Sequence, residues 1–209
     1  MIIIILGPQG SGKGTQAKLL AEKFGLFYFE AGGFLRQVAR TRADINEIIN
    51  KKGALLPDEV MNSLVLEFLE KQNIGSGIVF DGFPRTIAQY EMTSKWFSGK
   101  GMKVNVAFLI QVSEKESVRR LSARRVDRKT GEIYNLITNP PPPDLNLTDL
   151  IQREDDQEEV VKTRLDFYKK STLPLVRRLK NERILVEVDG ERPIDVIQKD
   201  LVKVVESTI

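Results

Sequence analysis

The sequence has 209 residues, of which 41% are apolar and 29% charged, and its 32 basic and 29 acidic side chains leave a net charge of +3. This composition is typical of one globular domain, and so small a charge excess does not predict binding to nucleic acid or to a membrane. The absence of cysteine and histidine excludes disulfides, histidine-based triads and zinc sites built from these side chains.

The longest wholly apolar run comprises residues 1–6, which is too short to cross a bilayer. It also lacks the basic start and the cleavage site of a signal peptide. The sequence therefore predicts a cytoplasmic protein.

Short apolar runs predict five strands in chain order. The first, Ile2–Leu6, is β-branched and is closed by a glycine, as is common for strands buried in parallel sheets. The other runs are residues 26–29, 78–80, 104–110 and 184–188. Stretches with helical spacing separate the runs, so we predict an α/β fold with a parallel five-stranded sheet flanked by helices.

Two segments interrupt this alternation and predict insertions on a single core domain. Residues 32–70 have helical spacing throughout. Residues 125–155 contain four consecutive prolines and form too long a segment for an ordinary loop, yet their apolar side chains argue against disorder. We place the insertions at 30–56 and 124–156, which leaves a core of residues 1–29, 57–123 and 157–209.

A glycine-rich loop follows the first strand and opens a helix, with the sequence Gly7-Pro8-Gln9-Gly10-Ser11-Gly12-Lys13-Gly14-Thr15. Glycines let successive backbone N–H groups point at an anion, and the helix N-terminus adds its positive dipole. Lys13 can contact β and γ phosphates, and the Thr15 hydroxyl can bind magnesium. The loop is a variant of the general pattern, because Gly14 stands between the lysine and the hydroxyl residue.

A carboxylate follows the third predicted strand. Asp81 lies at the carboxyl edge of the sheet, where ligands bind in open α/β folds. A carboxylate in this place is suited to hold magnesium, directly or through water. Pro84 stiffens the turn that follows and directs Arg85.

Four motifs occur in order along the chain. They are Gly10 to Gln16 in the loop; Asp81-Gly82-Phe83-Pro84-Arg85-Thr86; Gly131-Glu132-Ile133-Tyr134 followed by Asn139-Pro140-Pro141; and Gln152-Arg153-Glu154-Asp155-Asp156 followed by Arg164. Together they resemble the adenylate kinases and related nucleoside-monophosphate kinases over essentially the whole chain. The resemblance implies a P-loop NTPase-like core, a monophosphate-binding insert at 30–56 and a long lid at 124–156. It also implies reversible phosphoryl transfer from magnesium-bound ATP to AMP, giving two ADP.

The resemblance assigns roles to individual side chains. Phosphoryl transfer needs positioning and positive charge rather than a covalent nucleophile, and the implied catalytic set is Lys13, Arg85, Arg120, Arg124, Arg153 and Arg164. Arg120 and Arg124 are expected on one helix face. The implied ATP-binding set is Gly10, Ser11, Gly12, Lys13, Gly14, Thr15, Arg120, Arg124, Ile133, Tyr134 and Arg192. The implied AMP-binding set is Ala31, Arg36, Ala54, Leu55, Leu56, Gly82, Phe83, Pro84, Arg85, Gln89, Arg153 and Arg164. Thr15 and Asp81 are the implied Mg²⁺ ligands, partly through water.

Charged residues outside these sets are expected to be structural. Arg119, Arg125 and Arg128 are predicted to be solvated. The acidic residues Asp155, Asp156, Glu158 and Glu159 are predicted to complement a helix dipole and to pair with lid arginines rather than to form a metal site.

The sequence departs from the family pattern after the second strand. The pattern is usually Ser-Thr-Gly-Asp, and here it is Glu30-Ala31-Gly32-Gly33. The threonine that typically touches the AMP base and the aspartate that usually supports magnesium are therefore replaced. With glycine at 33, Asp81 is the main remaining carboxylate, and Glu30 is a less well directed substitute.

Two alternatives follow from the sequence. Alanine at position 31 resembles the sequence of the UMP/CMP kinases, although these usually have a short lid and this chain has a long one. A UMP/CMP kinase or a kinase of broad specificity is therefore an open alternative. A P-loop switch or nucleic-acid-associated protein that binds ATP without an acceptor is the alternative from another class. The motif from Asp81 to Arg85 argues against it, because a switch needs no second nucleotide site. We expect ATP and AMP as substrates, a monomer, and no nucleic-acid or membrane partner.

Overall fold

A parallel sheet of five strands forms the centre of the molecule. The structure, a computed structural model, describes residues 1–51, 56–153 and 156–208. Its strands are β1 Ile2–Leu6, β2 Phe27–Glu30, β3 Ile78–Asp81, β4 Val104–Gln111, β5 Arg124–Asp127, β6 Ile133–Asn135, β7 Leu150–Ile151 and β8 Leu185–Asp189. The central sheet has the order β2-β3-β1-β4-β8, and its neighbouring strands are parallel. This arrangement confirms the predicted α/β fold.

Helices connect the strands and cover both faces of the sheet. They are α1 Lys13–Phe24, α2 Ala31–Ala39, α3 Ala43–Asn46, α4 Asp58–Glu70, α5 Ile87–Ser98, α6 Glu114–Ser122, α7 Glu158–Phe167, α8 Leu173–Asn181 and α9 Ile194–Glu206. Two segments are π-helical, Glu47–Lys51 and Tyr168–Thr172, and Leu147–Asp149 forms a 3-10 turn. Across the described ranges, no helix has both the length and the apolar character needed to cross a membrane.

Alternate residues of β1 point to opposite faces of the sheet and anchor two cores. Ile2, Ile4 and Leu6 pack with residues of α2, α4, α5 and α8, whereas Ile3 and Ile5 pack with residues of α1 and α9. All five side chains are at most 2% exposed. Because helices cover both faces, the strand has no polar side, which explains its continuous apolar sequence.

Phenylalanine rings join the helices after β2 to the sheet. Phe29 in β2 lies 5.4–6.1 Å, between ring centroids, from Phe34, Phe68, Phe80 and Phe83. Two of these rings belong to α2 and α4, one belongs to β3, and one belongs to the turn after β3. This packing fixes the carboxyl end of β2 against strand β3 and against helices α2 and α4.

The segment between β2 and α4 is helical in its described part, as the sequence predicted. It consists of α2, α3 and the first π-helical segment. Ala54 and Leu55, which were predicted for the AMP site, lie outside the described residues.

The segment between α6 and α7 has an antiparallel sheet of its own, in the order β6-β5-β7. The sequence predicted a folded insertion here but did not reveal these strands, because none exceeds four residues. Side chains fix its turns: Asn135 Oδ1 accepts from the backbone N–H groups of Ile137 and Thr138 at 3.0 and 3.1 Å, and Asp127 Oδ1 accepts from that of Lys129 at 2.7 Å.

Replacing Phe29 by alanine should lower the free energy of unfolding by about 3–5 kcal/mol, the usual cost of truncating a buried phenylalanine. The ring is 2% exposed, and the surrounding rings cannot collapse into the space without breaking their own contacts. Urea denaturation measures the change. Met92→Ala, at a site on α5 that is 41% exposed, is the control and should change stability by less than about 0.5 kcal/mol. Equal losses in the two variants would contradict the central role of Phe29.

Candidate active site

The glycine-rich loop connects β1 to α1 and has the backbone shape of an anion site. Gly10 and Gly12 have φ angles of +78° and +87°, a left-handed conformation that residues with a Cβ rarely adopt. Within the described chain, no side chain caps α1 and its first turn holds no acidic residue. The N–H groups of that turn lack intrahelical partners, so the helix N-terminus can bind an anion.

A lysine and a buried aspartate interact beside this loop. Asp81 ends β3 and is 7% exposed, and burial raises its pKa while the nearby charge of Lys13 lowers it. Tyr28 Oη donates to Asp81 Oδ2 at 3.2 Å. Burial lowers the pKa of Lys13 to about 8, against the opposing effect of Asp81, and Lys13 Nζ donates to the Pro8 carbonyl at 3.2 Å. The structure thus places the lysine and the carboxylate singled out by the sequence in one site.

The turn after β3 brings Arg85 to the same site. Its peptide bond between Phe83 and Pro84 is cis, and Arg85 Nε donates to the Gly82 carbonyl at 2.7 Å. Burial lowers the pKa of Arg85, whereas the charge of Asp81 raises it. Arg85 therefore adds a second, partly buried positive charge next to the Asp81 carboxylate.

Gln89 forms a bridge that the sequence did not reveal. Its side chain is buried, its Oε1 accepts from the Arg85 backbone N–H at 2.7 Å, and its Nε2 donates to Asp58 Oδ1 at 2.8 Å. Asp58 is the first residue of α4. The amide of Gln89 therefore links the start of α4 to the turn that carries Arg85.

Arg36 is paired with a carboxylate at the end of β2. Glu30 Oε1 accepts from Arg36 Nη2 at 2.9 Å and from the Gly33 backbone N–H at 3.1 Å. Strands β2 and β3 pair in parallel with Glu30 opposite Asp81, and the charges of Arg36 and Glu30 both act on Arg85. Two carboxylates and two arginines therefore share this edge of the sheet.

Arg120 and Arg124 do not share a helix face, and this prediction was wrong. Helix α6 ends at Ser122, and Arg124 is the first residue of β5, because the chain turns into the small sheet at this point. Arg120 Nε donates to Glu116 Oε1 at 2.6 Å, and Arg124 Nε donates to Asp156 Oδ2 at 2.8 Å. Asp156 thus pairs with a lid arginine, as the sequence predicted.

Helix α6 is attached to the phosphate loop. The hydroxyl of Ser117, which is fully buried, donates to the Gln9 carbonyl. Arg119 is 45% exposed, as expected for a solvated arginine, but it shares the carboxylate of Glu116 with Arg120. A change at Arg119 would therefore reach Arg120 through their common partner.

Several predicted charges converge on Lys13. The positive charges of Arg85, Arg164 and Arg124 all lower the pKa of this lysine. Arg164 lies in α7, and Arg153 lies half-buried between β7 and α7. The structure therefore brings arginines from the turn after β3, the start of β5 and α7 to the phosphate loop.

Three residues of the implied ATP-binding set lie in β6 and before α9. Arg192 precedes α9 and its Nη1 donates to Asp200 Oδ2 at 2.8 Å. Ile133 and Tyr134 lie in β6 and are partly exposed. A cleft of about 650 Å³ lies between Thr138 of the same segment and the start of α9.

Three residues predicted for the AMP site belong to the core. Ala31 and Phe83 are fully buried and Leu56 is 5% exposed, and all three pack in the cluster on the face of α2 and α4. The side chain of Ala31 thus packs in the core at the start of α2.

The surroundings of Asp81 fit a hydrated cation. Asp81 Oδ1 is buried and has no hydrogen-bond partner among the described residues, which leaves a charged oxygen for a metal or its water. A Cβ added at Gly14 would lie 2.9 Å from Asp81 Oδ2, so the first turn of α1, which contains Thr15, is adjacent to this carboxylate. In the described part of the chain, no three acidic side chains cluster as a metal cage. Few carboxylates combined with phosphate and water oxygens are typical of Mg²⁺ sites.

Asp58→Ala should lower the free energy of unfolding by about 1.5–3 kcal/mol, because it removes a charged acceptor from the buried amide of Gln89. Glu59→Ala is the matched control, since Glu59 lies in the same first turn but is exposed. It should cost no more than about 1 kcal/mol, the value of a charge at a helix terminus. Urea denaturation compares the two variants. Equal costs would show that Asp58 acts only through the helix dipole.

Comparison with known proteins gives one family. The family model described as adenylate kinase matches residues 5–184. A protein named adenylate kinase from Pseudothermotoga lettingae is 38% identical over 216 residues, which cover 100% of both chains. Proteins with the same name are 36% identical in Archaeoglobus fulgidus, over 99% of this chain and 98% of the relative, and 39% identical in Clostridium botulinum, over 93% and 94%.

Proposed function

The chain belongs to the adenylate kinase family, and we propose that it catalyses the reversible transfer of the γ-phosphoryl group from magnesium-bound ATP to AMP, giving two ADP. The convergence of Lys13, Asp81 and Arg85 at the phosphate loop is the observation that supports this most strongly. Arg36 and Arg124 approach the same edge from two separate inserted segments. A site for a single triphosphate would not need both groups of arginines.

The loop and the first turn of α1 would bind the ATP phosphates. Loop N–H groups from Gly10 to Thr15 would surround the β-phosphate, and Lys13 would contact the β and γ phosphates. Thr15 and Asp81 would hold Mg²⁺, which when bound neutralises negative charge on the phosphate oxygens. The base of ATP would lie toward Arg192 and the cleft beside β6.

The two arginines near Asp81 would bind the phosphate of AMP. Arg36 and Arg85 lie close enough for their charges to interact, and a dianionic phosphate between them would relieve that repulsion. An oxygen of this phosphate then attacks the γ-phosphorus in line as ADP leaves, with no covalent intermediate on the protein. Gly82, Phe83 and Pro84 would shape the floor of this site.

The remaining arginines would act as the two inserted segments close. We treat residues 30–56 and 124–156 as moving units on a core of 1–29, 57–123 and 157–209. Arg120, Arg124, Arg153 and Arg164 would surround the transferring group, where fixed positive charge stabilises the transition state. Closure would also exclude water, which would otherwise accept the phosphoryl group.

We further propose that the protein acts as a cytoplasmic monomer. Its small net charge supports the absence of nucleic-acid and membrane partners.

A direct assay tests the reaction. ADP should form from ATP only when a monophosphate is present, and AMP should be preferred over UMP, CMP and GMP when each is offered with ATP and with GTP. Equal rates with UMP or CMP would contradict a preference for AMP and indicate a kinase of broad specificity. ATP consumption that is independent of every monophosphate would contradict the whole proposal and favour an ATP-dependent switch.

Arg85→Ala should reduce kcat/KM for AMP by an amount equivalent to about 2–5 kcal/mol, the scale for removing one partner of a desolvated charge pair. Arg177→Ala, on the exposed side of α8, is the control and should change kcat/KM by less than about 0.5 kcal/mol. Steady-state kinetics with AMP as the varied substrate gives both values. A similar small effect in both variants would contradict the assignment of Arg85 to the acceptor site.

The lowered pKa of Lys13, about 8, predicts a pH dependence of ATP binding. Phosphate charge favours the protonated lysine, so binding should take up a proton once the pH exceeds about 8, and affinity should fall as the pH rises further. Isothermal titration calorimetry at pH 9 in two buffers of different ionisation enthalpy measures this uptake. Lys23→Met should keep it, because Lys23 is exposed at the far end of α1. An affinity that is constant between pH 7 and pH 9 would contradict a role for Lys13 in phosphate binding.

A further inference from the structure

Glu30, the last residue of β2, contacts groups outside its own strand. Its carboxylate caps α2 through the Gly33 backbone N–H and simultaneously holds Arg36. It also lies in register with Asp81 on the neighbouring strand. One side chain thus connects the end of β2, the start of α2 and an arginine near Arg85.

The carboxylate of Glu30 also occupies the space of the missing side chain at position 33. A Cβ added at Gly33 would lie 2.7 Å from Glu30 Oε2, which is closer than real Cβ contacts. Gly33 is helical and is not among the glycines with positive φ, so its backbone does not require glycine. A residue larger than glycine at this position would displace the Glu30 side chain.

The ion pair between Glu30 and Arg36 orients the arginine without burying it. The Arg36 and Glu30 side chains are 37% and 32% exposed, so solvent still reaches the guanidinium and an incoming anion can do the same. Arginine has five N–H donors, and the bond to Glu30 uses one on Nη2. Holding a long side chain in place before binding is worth about two- to tenfold in affinity. The repulsion between Glu30 and an incoming phosphate is reduced because the carboxylate is already bonded to Arg36 and to a backbone N–H.

We propose that Glu30 is a positioning residue for the acceptor phosphate: it holds Arg36 from the end of β2, in the space that a side chain at position 33 would occupy. This inference rests on the proposed function, since it assumes that Arg36 meets the phosphate of AMP. It also makes positions 30 and 33 interdependent, because a side chain at position 33 would take up space that the Glu30 carboxylate now occupies.

The first test is Glu30→Gln, which keeps an oxygen for the Gly33 N–H but removes the charge that holds Arg36. KM for AMP and the dissociation constant of AMP by calorimetry should both rise about fivefold, while kcat and KM for ATP change less than about twofold. Glu67→Gln is the matched control, because it breaks an exposed ion pair with Lys71. The control should leave all four constants unchanged.

The second test exchanges the two positions. Glu30→Ser and Gly33→Asp should each raise the dissociation constant of AMP, the first by freeing Arg36 and the second by crowding two carboxylates. The double variant should recover an affinity within about threefold of the original protein, a coupling expected only for residues that share partners. Thermal unfolding of all variants checks that each is folded before its binding is compared.

Three results would overturn the proposal. An unchanged or tighter AMP affinity in Glu30→Gln would show that Glu30 only caps α2. Effects that simply add in the double variant would show that positions 30 and 33 act independently. A shift in the magnesium concentration for half-maximal rate, with AMP affinity unchanged, would place Glu30 in the metal site instead. Failure of the original protein to bind AMP would reject the proposed function itself, so the two failures are distinguishable.

Discussion

The burial of one carboxylate, that of Asp81, sets the conditions for the rest of the site. A carboxylate removed from water must be met by hydrogen-bond donors and by positive charge. Tyr28 supplies the donor, and Lys13 and Arg85 supply the charge. The same carboxylate borders the glycine-rich loop. A side chain at position 14 would place its Cβ 2.9 Å from Asp81 Oδ2, so Asp81 would have to shift to admit one.

The hydrophobic core determines where these charges stand. Phe29 precedes Glu30 and Phe80 precedes Asp81, and the two rings lie 5.6 Å apart. Because β2 and β3 pair in register, packing the two rings also places the two carboxylates side by side. The chemistry at the edge of the sheet therefore depends on apolar contacts one residue earlier in each strand.

Local sequence signals were sufficient for the central sheet and for the glycine-rich loop between β1 and α1. β-branched runs bounded by glycine identify strands covered on both faces, and Ile2–Leu6 is such a run. The strands of the lid segment have two to four residues, and Arg124 begins one of them. Strands this short show no periodicity in the sequence. The four-residue spacing of Arg120 and Arg124 therefore led to the wrong prediction that both lie on one helix. The contacts of Glu30 were equally inaccessible, because they depend on the direction of a side chain at the end of a strand.

The segment between α6 and α7 is connected to the glycine-rich loop through helix α6. Without cysteine or histidine, its turns depend on side chains such as Asn135. The Nδ2 of this residue donates to the Arg120 carbonyl at 2.8 Å, and its Oδ1 accepts from two backbone N–H groups within the lid. One turn earlier in α6, Ser117 donates to the carbonyl of Gln9 in the glycine-rich loop. Helix α6 is thus bonded both to this segment and to the loop. If residues 124–156 close over ATP as we propose, they move on a core that includes α6, so the bond from Asn135 to the Arg120 carbonyl holds the moving segment beside the helix that carries Arg120.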